Sequence, residues 1–384
     1  MSLVATLGVF RRTCSLNMRV LAIVPEAFGG FGGIAAYNRD FLTALAELPL
    51  CEKVTVLPRL IRHAPERLPP RIELLEKAAN NRVRYVGELA RMLIKRERYD
   101  VVLCGHIHLL PLAEIASRLM GAKHVLLIYG IDAWSPTGRW LSDRLVACAD
   151  LVISISQITK QRFMSWSSVP DKQVHLLPNA IHMEEYGIGE MPHYLKQRYG
   201  LGDKKVLMTL GRLQKSEQQK GIDEMLEILP ELQAEERNLS YLIAGDGDDR
   251  PRLESKAGAL GLNGHVIFAG RIPEAEKADH YRLADVFLMP GRQEGFGFVF
   301  LEAMASGTPV VASSLDGSRE AVRDGKLGEL ADPDDREALK AAIRRALCRP
   351  RQIPEGLAYF SYENFRERLQ NIMGGLKVEA VSPA

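Results

Sequence analysis

Residues 285–313 read DVFLMPGRQEGFGFVFLEAMASGTPVVAS. DVFLMP (285–290) is a short, continuous apolar run that ends at a proline, and PVVAS (309–313) is another. Between them, FVFLEAMA has the composition of a helix, and Gly297 stands where that helix should open. Apolar runs of this length without alternation belong to strands covered on both faces, as in parallel sheets. Strand, helix and strand then form one βαβ unit, which places the stretch in a doubly wound α/β fold. Two acids, Glu294 and Glu302, stand eight residues apart within it. An acid inside an otherwise apolar helix costs free energy unless something pairs with it, so Glu302 requires a partner or a ligand.

The same alternation extends in both directions. RVLAIV (19–24), KVTVL (53–57), DVVLC (100–104), HVLLIY (124–129), LVISIS (151–156) and VHLLP (174–178) form a first series of strands separated mostly by amphipathic segments. KVLMTLG (205–211), LSYLIAG (239–245), HVIFAG (265–270), DVFLMP and PVVAS form a second, with helices near 220–236, 249–260, 274–283 and 298–305. Two series predict two doubly wound, Rossmann-like domains facing across a cleft. The expected boundaries are an extension over 1–17, a first domain over 18–185, a second over 186–358, and a last segment over 359–384. The amphipathic helix YENFRERLQNIMGGL in that last segment is expected to cross back onto the first domain.

At 384 residues the chain exceeds one typical core, in agreement with two domains. A hydrophobic share of 46% with 26% charged residues excludes disorder and fibrous classes. The cysteines, Cys14, Cys51, Cys104, Cys148 and Cys348, are scattered and form no C-x-x-C pair, which reads as reduced thiols in a cytoplasmic protein. No apolar run approaches the roughly 20 residues of a membrane span. Near the N-terminus the apolar stretch Leu3 to Phe10 precedes the basic pair Arg11-Arg12, the reverse of a secretory signal, and Thr13 before Cys14 does not fit a lipoprotein cleavage site. Net charge is +2 overall, but +6 over residues 1–185 and −4 over 186–384. Many of the basic residues lie between Arg59 and Arg98, so the first domain is expected to rest on an anionic membrane surface or to hold an anionic acceptor. No nucleic-acid motif accompanies the charge.

Open α/β sheets bind ligands at the carboxyl ends of their strands, and candidate residues lie there. FGGFGGIAA (28–36) follows the first strand, and Gly30, Gly32 and Ala35 fit the spacing G-x-G-x-x-A of a dinucleotide site. Such a site needs an acid at the end of the second strand; Leu57-Pro58-Arg59 supplies none. The loop still offers backbone N–H groups to an anion. After the strand 205–211, Arg212 and Lys220 in GRLQKSEQQKG place two cations where a diphosphate could be held without a metal. AGDGDD (244–249) is another glycine-bearing loop at a strand end, read equally well as a turn before a capped helix. Gly297, at a helix N-terminus, exposes free N–H groups of the kind that bind phosphate. Glu302 could then face a hydroxyl pair such as a ribose diol, or pair with a buried cation.

Taken together, the GGFGG loop, LLPNAI, GRL…KG, AGDGDDRPRLE, FAGRI, YRLADVFLMP, EGFGFVFLEAMASGTPVVAS and DGKLGELADP resemble the retaining glycosyltransferases of family 4, with their GT-B architecture, over almost the whole chain after Met18. The resemblance implies transfer of a hexose from a nucleotide-sugar, a UDP-sugar or a GDP-sugar, to a glycan or lipid-linked acceptor in cell-surface polysaccharide or glycolipid synthesis. UDP is favoured on family frequency. No metal or other cofactor is implied. Arg212 and Lys220 would hold the diphosphate and stabilise the leaving group. Glu294 would hold the sugar, Phe296 and Gly297 would donate N–H groups to phosphate, Glu302 would hold the ribose, Gly32 and Gly33 would approach the diphosphate, and Arg271 and Ile272 would lie near the base. Many members carry His-Gly after the fourth strand; here Tyr129 takes the histidine's place in IYGIDAW. Tyrosine titrates near pH 10 and is a poor base. Retaining members are thought to use the donor phosphate as the base, so the change bears mainly on the sugar contact. His106 and Asp132 are further acceptor-side candidates. The other readings are a non-catalytic nucleotide-sugar-binding subunit of a membrane-associated assembly and an NAD-dependent enzyme.

Overall fold

The computed structural model describes residues 18–65 and 67–376. The expected extension over residues 1–17 lies outside the described residues. The first sheet comprises β1 (Met18–Val24), β2 (Cys51–Pro58), β3 (Ile72–Leu74), β4 (Val101–Cys104), β5 (Lys123–Ile128), β6 (Leu151–Ser154) and β7 (Val174–Leu176). The second comprises β8 (Lys205–Leu210), β9 (Leu239–Ala244), β10 (Val266–Gly270), β11 (Val286–Met289), β12 (Val310–Ser313) and β13 (Glu329–Ala331). The strand orders are β3-β2-β1-β4-β5-β6-β7 and β10-β9-β8-β11-β12-β13, and every named pair is parallel. Both are doubly wound sheets with a topological switch point, between β1 and β4 in one and between β8 and β11 in the other.

The helices of the first domain are α1 (Gly33–Glu47), α2 (Arg82–Ile94), α3 (Leu110–Met120), α4 (Trp140–Leu145) and α5 (Gln157–Met164). Those that follow are α6 (His193–Arg198), α7 (Ile222–Glu235), α8 (Arg250–Ala259), α9 (Lys277–Leu283), α10 (Phe298–Ala305), α11 (Ser318–Ala321), α12 (Arg336–Leu347) and α13 (Tyr362–Gly374).

Continuous apolar strands fit this layering. In β1, Val20, Ala22 and Val24 face one buried cluster while Leu21 and Ile23 face another. Each of the valine, leucine and isoleucine side chains, taken fully out of water, contributes about 1.5–3 kcal/mol. The cluster containing Val20 does not stop at the domain edge. It includes Tyr37 and Tyr129 of the first domain and Phe287, Phe296 and Phe300 of the second. Helix α13 returns to the first domain: Phe365 packs edge-on to Tyr37 at 5.8 Å, and Arg366 pairs with Glu47 at 3.3 Å.

Two strands escape the sequence reading, β3 and β13. Each has three residues and contains an acid, Glu73 or Glu329. Their pairing with β2 and β12, rather than an apolar pattern of their own, makes them strands.

Candidate active site

Residues at the two switch points face each other. On the first domain the loop after β1 ends at Gly32, and α1 starts at Gly33 with no side chain capping its amides. On the second, Gly297 precedes α10, again with no side-chain cap. Gly297 has φ 91°, a conformation an L side chain rarely adopts, and this turn aims the start of α10 into the cleft. A Cβ built on Gly33 would lie 3.7 Å from the Phe298 ring. Two helix N-termini, each with unclaimed amides and a partial positive charge, therefore meet across one gap, a setting that favours an anion.

The cations lie beside it. Arg212 follows β8, and Lys220 ends the short turn before α7. Between them sits Glu217, whose carboxylate pairs with Arg212 and, at 2.7 Å, with the Lys220 Nζ. Glu217 thus occupies a position between the two cations expected to hold the diphosphate. Glu217 was not among the residues expected at the site, although an acid in the same loop as two expected phosphate ligands is a visible sign. Glu294 is half-buried nearby. Burial raises its carboxyl above the usual range, and Lys220 opposes the rise.

Several residues differ in detail from expectation. Tyr129 does not offer its hydroxyl to the cleft. It donates into the core, to Asn38 Oδ1 (2.6 Å) or the Gly105 carbonyl (2.8 Å), and burial holds the phenol well above its usual range. The expected sugar contact through that hydroxyl is therefore corrected: in this geometry the β5 end presents its backbone. Phe296 buries its ring against Phe360 at 5.5 Å, and its N–H already stabilises the Glu294 carboxylate, so it is not a free phosphate donor here. Glu302 is 7% exposed and has found its partners: Lys277 Nζ at 2.9 Å on one oxygen and the Tyr281 hydroxyl at 2.6 Å on the other. A ribose would share that carboxylate with both. Arg271 places its guanidinium over the Phe31 ring at 4.5 Å, joining the second domain to the glycine-rich loop of the first. Ile272 is partly buried against the shared core.

On the acceptor side, His106 is half-buried after β4. Its Nδ1 accepts the His108 N–H at 3.2 Å, and burial, with His108 and Arg139 nearby, pushes its pKa down to about 4. It is neutral at pH 7, with its proton on Nε2, and so presents a donor. Asp132 folds back on its own loop, accepting the Tyr129 N–H at 3.2 Å, and burial pushes its carboxyl up to about 7. The two domains touch here: a Cβ on Gly295 would lie 2.1 Å from the Tyr129 carbonyl oxygen.

Comparison with known proteins agrees with this geometry. Residues 195–363 match the family of glycosyl transferases group 1, and residues 31–185 match glycosyltransferase family 4. A GDP-mannose-dependent α-(1-6)-phosphatidylinositol monomannoside mannosyltransferase of Mycolicibacterium smegmatis is 33% identical over 70% of this chain and 72% of its own length. A D-inositol 3-phosphate glycosyltransferase of Geodermatophilus obscurus is 28% identical over 91% of this chain and 85% of its own. The crystal structure of Anabaena HepE in complex with UDP-glucose superposes with a TM-score of 0.73 at 20% identity, over 94% of this chain and all of that one. The protein is therefore a glycosyltransferase with the two-domain GT-B fold and belongs to the group 1, family 4 glycosyltransferases.

Proposed function

We propose that the protein moves a mannosyl or related hexosyl group from a nucleotide-sugar to a hydroxyl of an inositol- or sugar-bearing lipid acceptor, with retention at the anomeric carbon. The observation that carries the reading is the gathering of Arg212, Lys220 and Glu294 opposite Gly32 and Gly33, between two uncapped helix N-termini. When the bond from the anomeric carbon to the diphosphate breaks, its electrons pass to the phosphate oxygen. Arg212 and Lys220 receive that charge once the diphosphate takes the place of the Glu217 carboxylate. Glu294 holds the sugar hydroxyls from the opposite side. The cations supply the charge a divalent ion would otherwise supply, so the scheme needs no metal.

Where the acceptor proton can go supports retention. His106 Nδ1 already accepts a backbone N–H, the Tyr129 hydroxyl is spent in the core, and Asp132 is committed to its own loop. The departing phosphate oxygen is then the best-placed base, and it lies on the face from which the sugar leaves. The acceptor enters on that same face. The donor we propose is GDP-mannose, rather than the UDP-sugar favoured on family frequency, because the mycobacterial relatives at 31–33% identity use it by name. Helix α2 supports a membrane site: Val83 and Ile94 are each 81% exposed and are flanked by the exposed basic residues Arg82, Arg84, Lys95 and Arg96. We place the enzyme on a cytoplasmic membrane face through this helix. The test is proton NMR of the product made from GDP-α-mannose and phosphatidylinositol vesicles. An α-linked product supports the reading, and a β-linked product would overturn retention.

A further inference from the structure

We propose that Asp316 and Glu320 are positioning residues for Glu294, and that the segment carrying them makes the placement of Glu294 depend on docking of the first domain. The inference rests on the role of Glu294 proposed above. The segment follows β12 and runs behind the loop that bears Glu294. Asp316 is fully buried, and its Oδ2 accepts the Glu294 N–H at 2.9 Å. Its Oδ1 accepts both the N–H (3.0 Å) and the hydroxyl (2.6 Å) of Ser318. The next residue, Gly317, donates its N–H to the Glu294 carbonyl at 2.8 Å. Both backbone polar groups of Glu294 are therefore held by two consecutive residues. A Cβ on Gly317 would lie 2.1 Å from the Gly295 carbonyl oxygen, so the two loops have no room to slide.

The other end of the segment is anchored in the first domain. Glu320, on α11, accepts the N–H of Gln157 at 2.7 Å and that of Ile158 at 2.9 Å, the first two amides of α5. Helix α5 supplies a cap of its own only for Thr159, through Ser156. The carboxylate on the second domain thus satisfies amides that would otherwise have no intrahelical partner. Arg162 of α5 adds a donor to the Leu315 carbonyl at 3.5 Å. Between the anchor and Asp316 the chain is a tight turn, with the Glu320 N–H on the Gly317 carbonyl at 3.0 Å. When the domains part, Glu320 loses both amides, and the turn that fixes Glu294 loses its support. A donor bound to the second domain alone then meets a misplaced Glu294, which protects it from hydrolysis until the domains close.

The test uses the full chain with Gln157→Pro, Glu320→Ala and Glu294→Ala. Proline is favoured at the first position of a helix, and Ser156 is already extended (φ −151°, ψ 157°), so Gln157→Pro removes one donor to Glu320 and leaves α5 intact. Amide hydrogen exchange is followed across residues 292–297 without any ligand, and turnover of GDP-mannose is measured alongside. The expected result is exchange at Glu294 at least about fivefold faster in both Gln157→Pro and Glu320→Ala, with kcat lowered and GDP affinity kept. Unchanged exchange at Glu294 in both variants overturns the proposal. Turnover retained by Glu294→Ala overturns the role of Glu294 instead, and the exchange result stands apart from it.

Discussion

Gly295→Ala is the substitution for which the structure gives the sharpest expectation. The added methyl would sit 2.1 Å from the Tyr129 carbonyl oxygen, while ordinary contact begins near 3.4 Å. The two loops must therefore separate by about 1.3 Å, the difference of those distances. Tyr129 cannot simply turn aside, because its ring is part of the shared core and its hydroxyl is tied to Asn38 and Gly105. The gap must open between the domains. Overpacking of this kind costs about 1–3 kcal/mol of stability, a few degrees in Tm for a domain of this size. Displacing a reacting group by about 1 Å costs on the order of 100-fold in rate. We expect kcat to fall about 100-fold. GDP affinity should stay within about threefold, less than 1 kcal/mol, because Arg212 and Lys220 stay together on one domain. Calorimetry, thermal melting and steady-state turnover report the three quantities separately. Full turnover in a folded Gly295→Ala protein would refute the reasoning, since the contact between Tyr129 and Gly295 would then be no part of the reacting state.

Glu302→Gln should weaken nucleotide binding about tenfold, the worth of one hydrogen bond to a charged group, in a calorimetric titration with GDP; unchanged affinity with a lowered Tm would leave Glu302 as a structural partner for Lys277 and Tyr281 alone. Lys220→Ala should lower kcat by about 10²–10³-fold, the usual cost of removing one group that stabilises developing charge, and a loss confined to KM would count against leaving-group stabilisation. His182, paired with Asp40 at 3.1 Å, has its pKa raised from 6.5 to about 9, chiefly by that hydrogen bond. The stability it confers over His182→Ala is then fully present below pH 6.5 and lost as pH rises through about 9, a difference of up to about 3 kcal/mol in urea unfolding at pH 6 and pH 10. Val83→Glu with Ile94→Glu should abolish sedimentation with anionic vesicles without altering Tm, and binding that persists in both low and high salt would remove α2 as the contact.

The long strands were legible because a parallel strand buried on both faces has to be apolar throughout, as in LVISIS and DVFLMP. The site was legible where chemistry forces a residue type: two cations at a strand end, a glycine ahead of α10, an acid in an apolar helix. What the sequence hid depends on contacts between distant segments. Tyr129 ends a strand, and nothing local decides whether its hydroxyl meets the cleft or Asn38. Asp316 sits in SSLDGS, which reads as an ordinary turn until the loop of Glu294 is laid against it. The partners of Glu302 lie in α9, and only the fold brings Lys277 and Tyr281 to it.

The return of α13 has a consequence for how the protein is made. Phe365, Leu369 and Met373 belong to the same buried cluster as Val20 and Tyr37, so one wall of the first domain is supplied by the last helix. On the ribosome the strands of the first sheet are complete when Leu176 emerges, yet that wall arrives only with α13, after the entire second domain. At usual elongation rates the interval is roughly 10–40 s. During it, Tyr37 and its neighbours stay open to chaperones or to premature association. A chain cut before Tyr362 would keep that wall open, so a first domain prepared by cutting at the boundary near residue 185 would lack it.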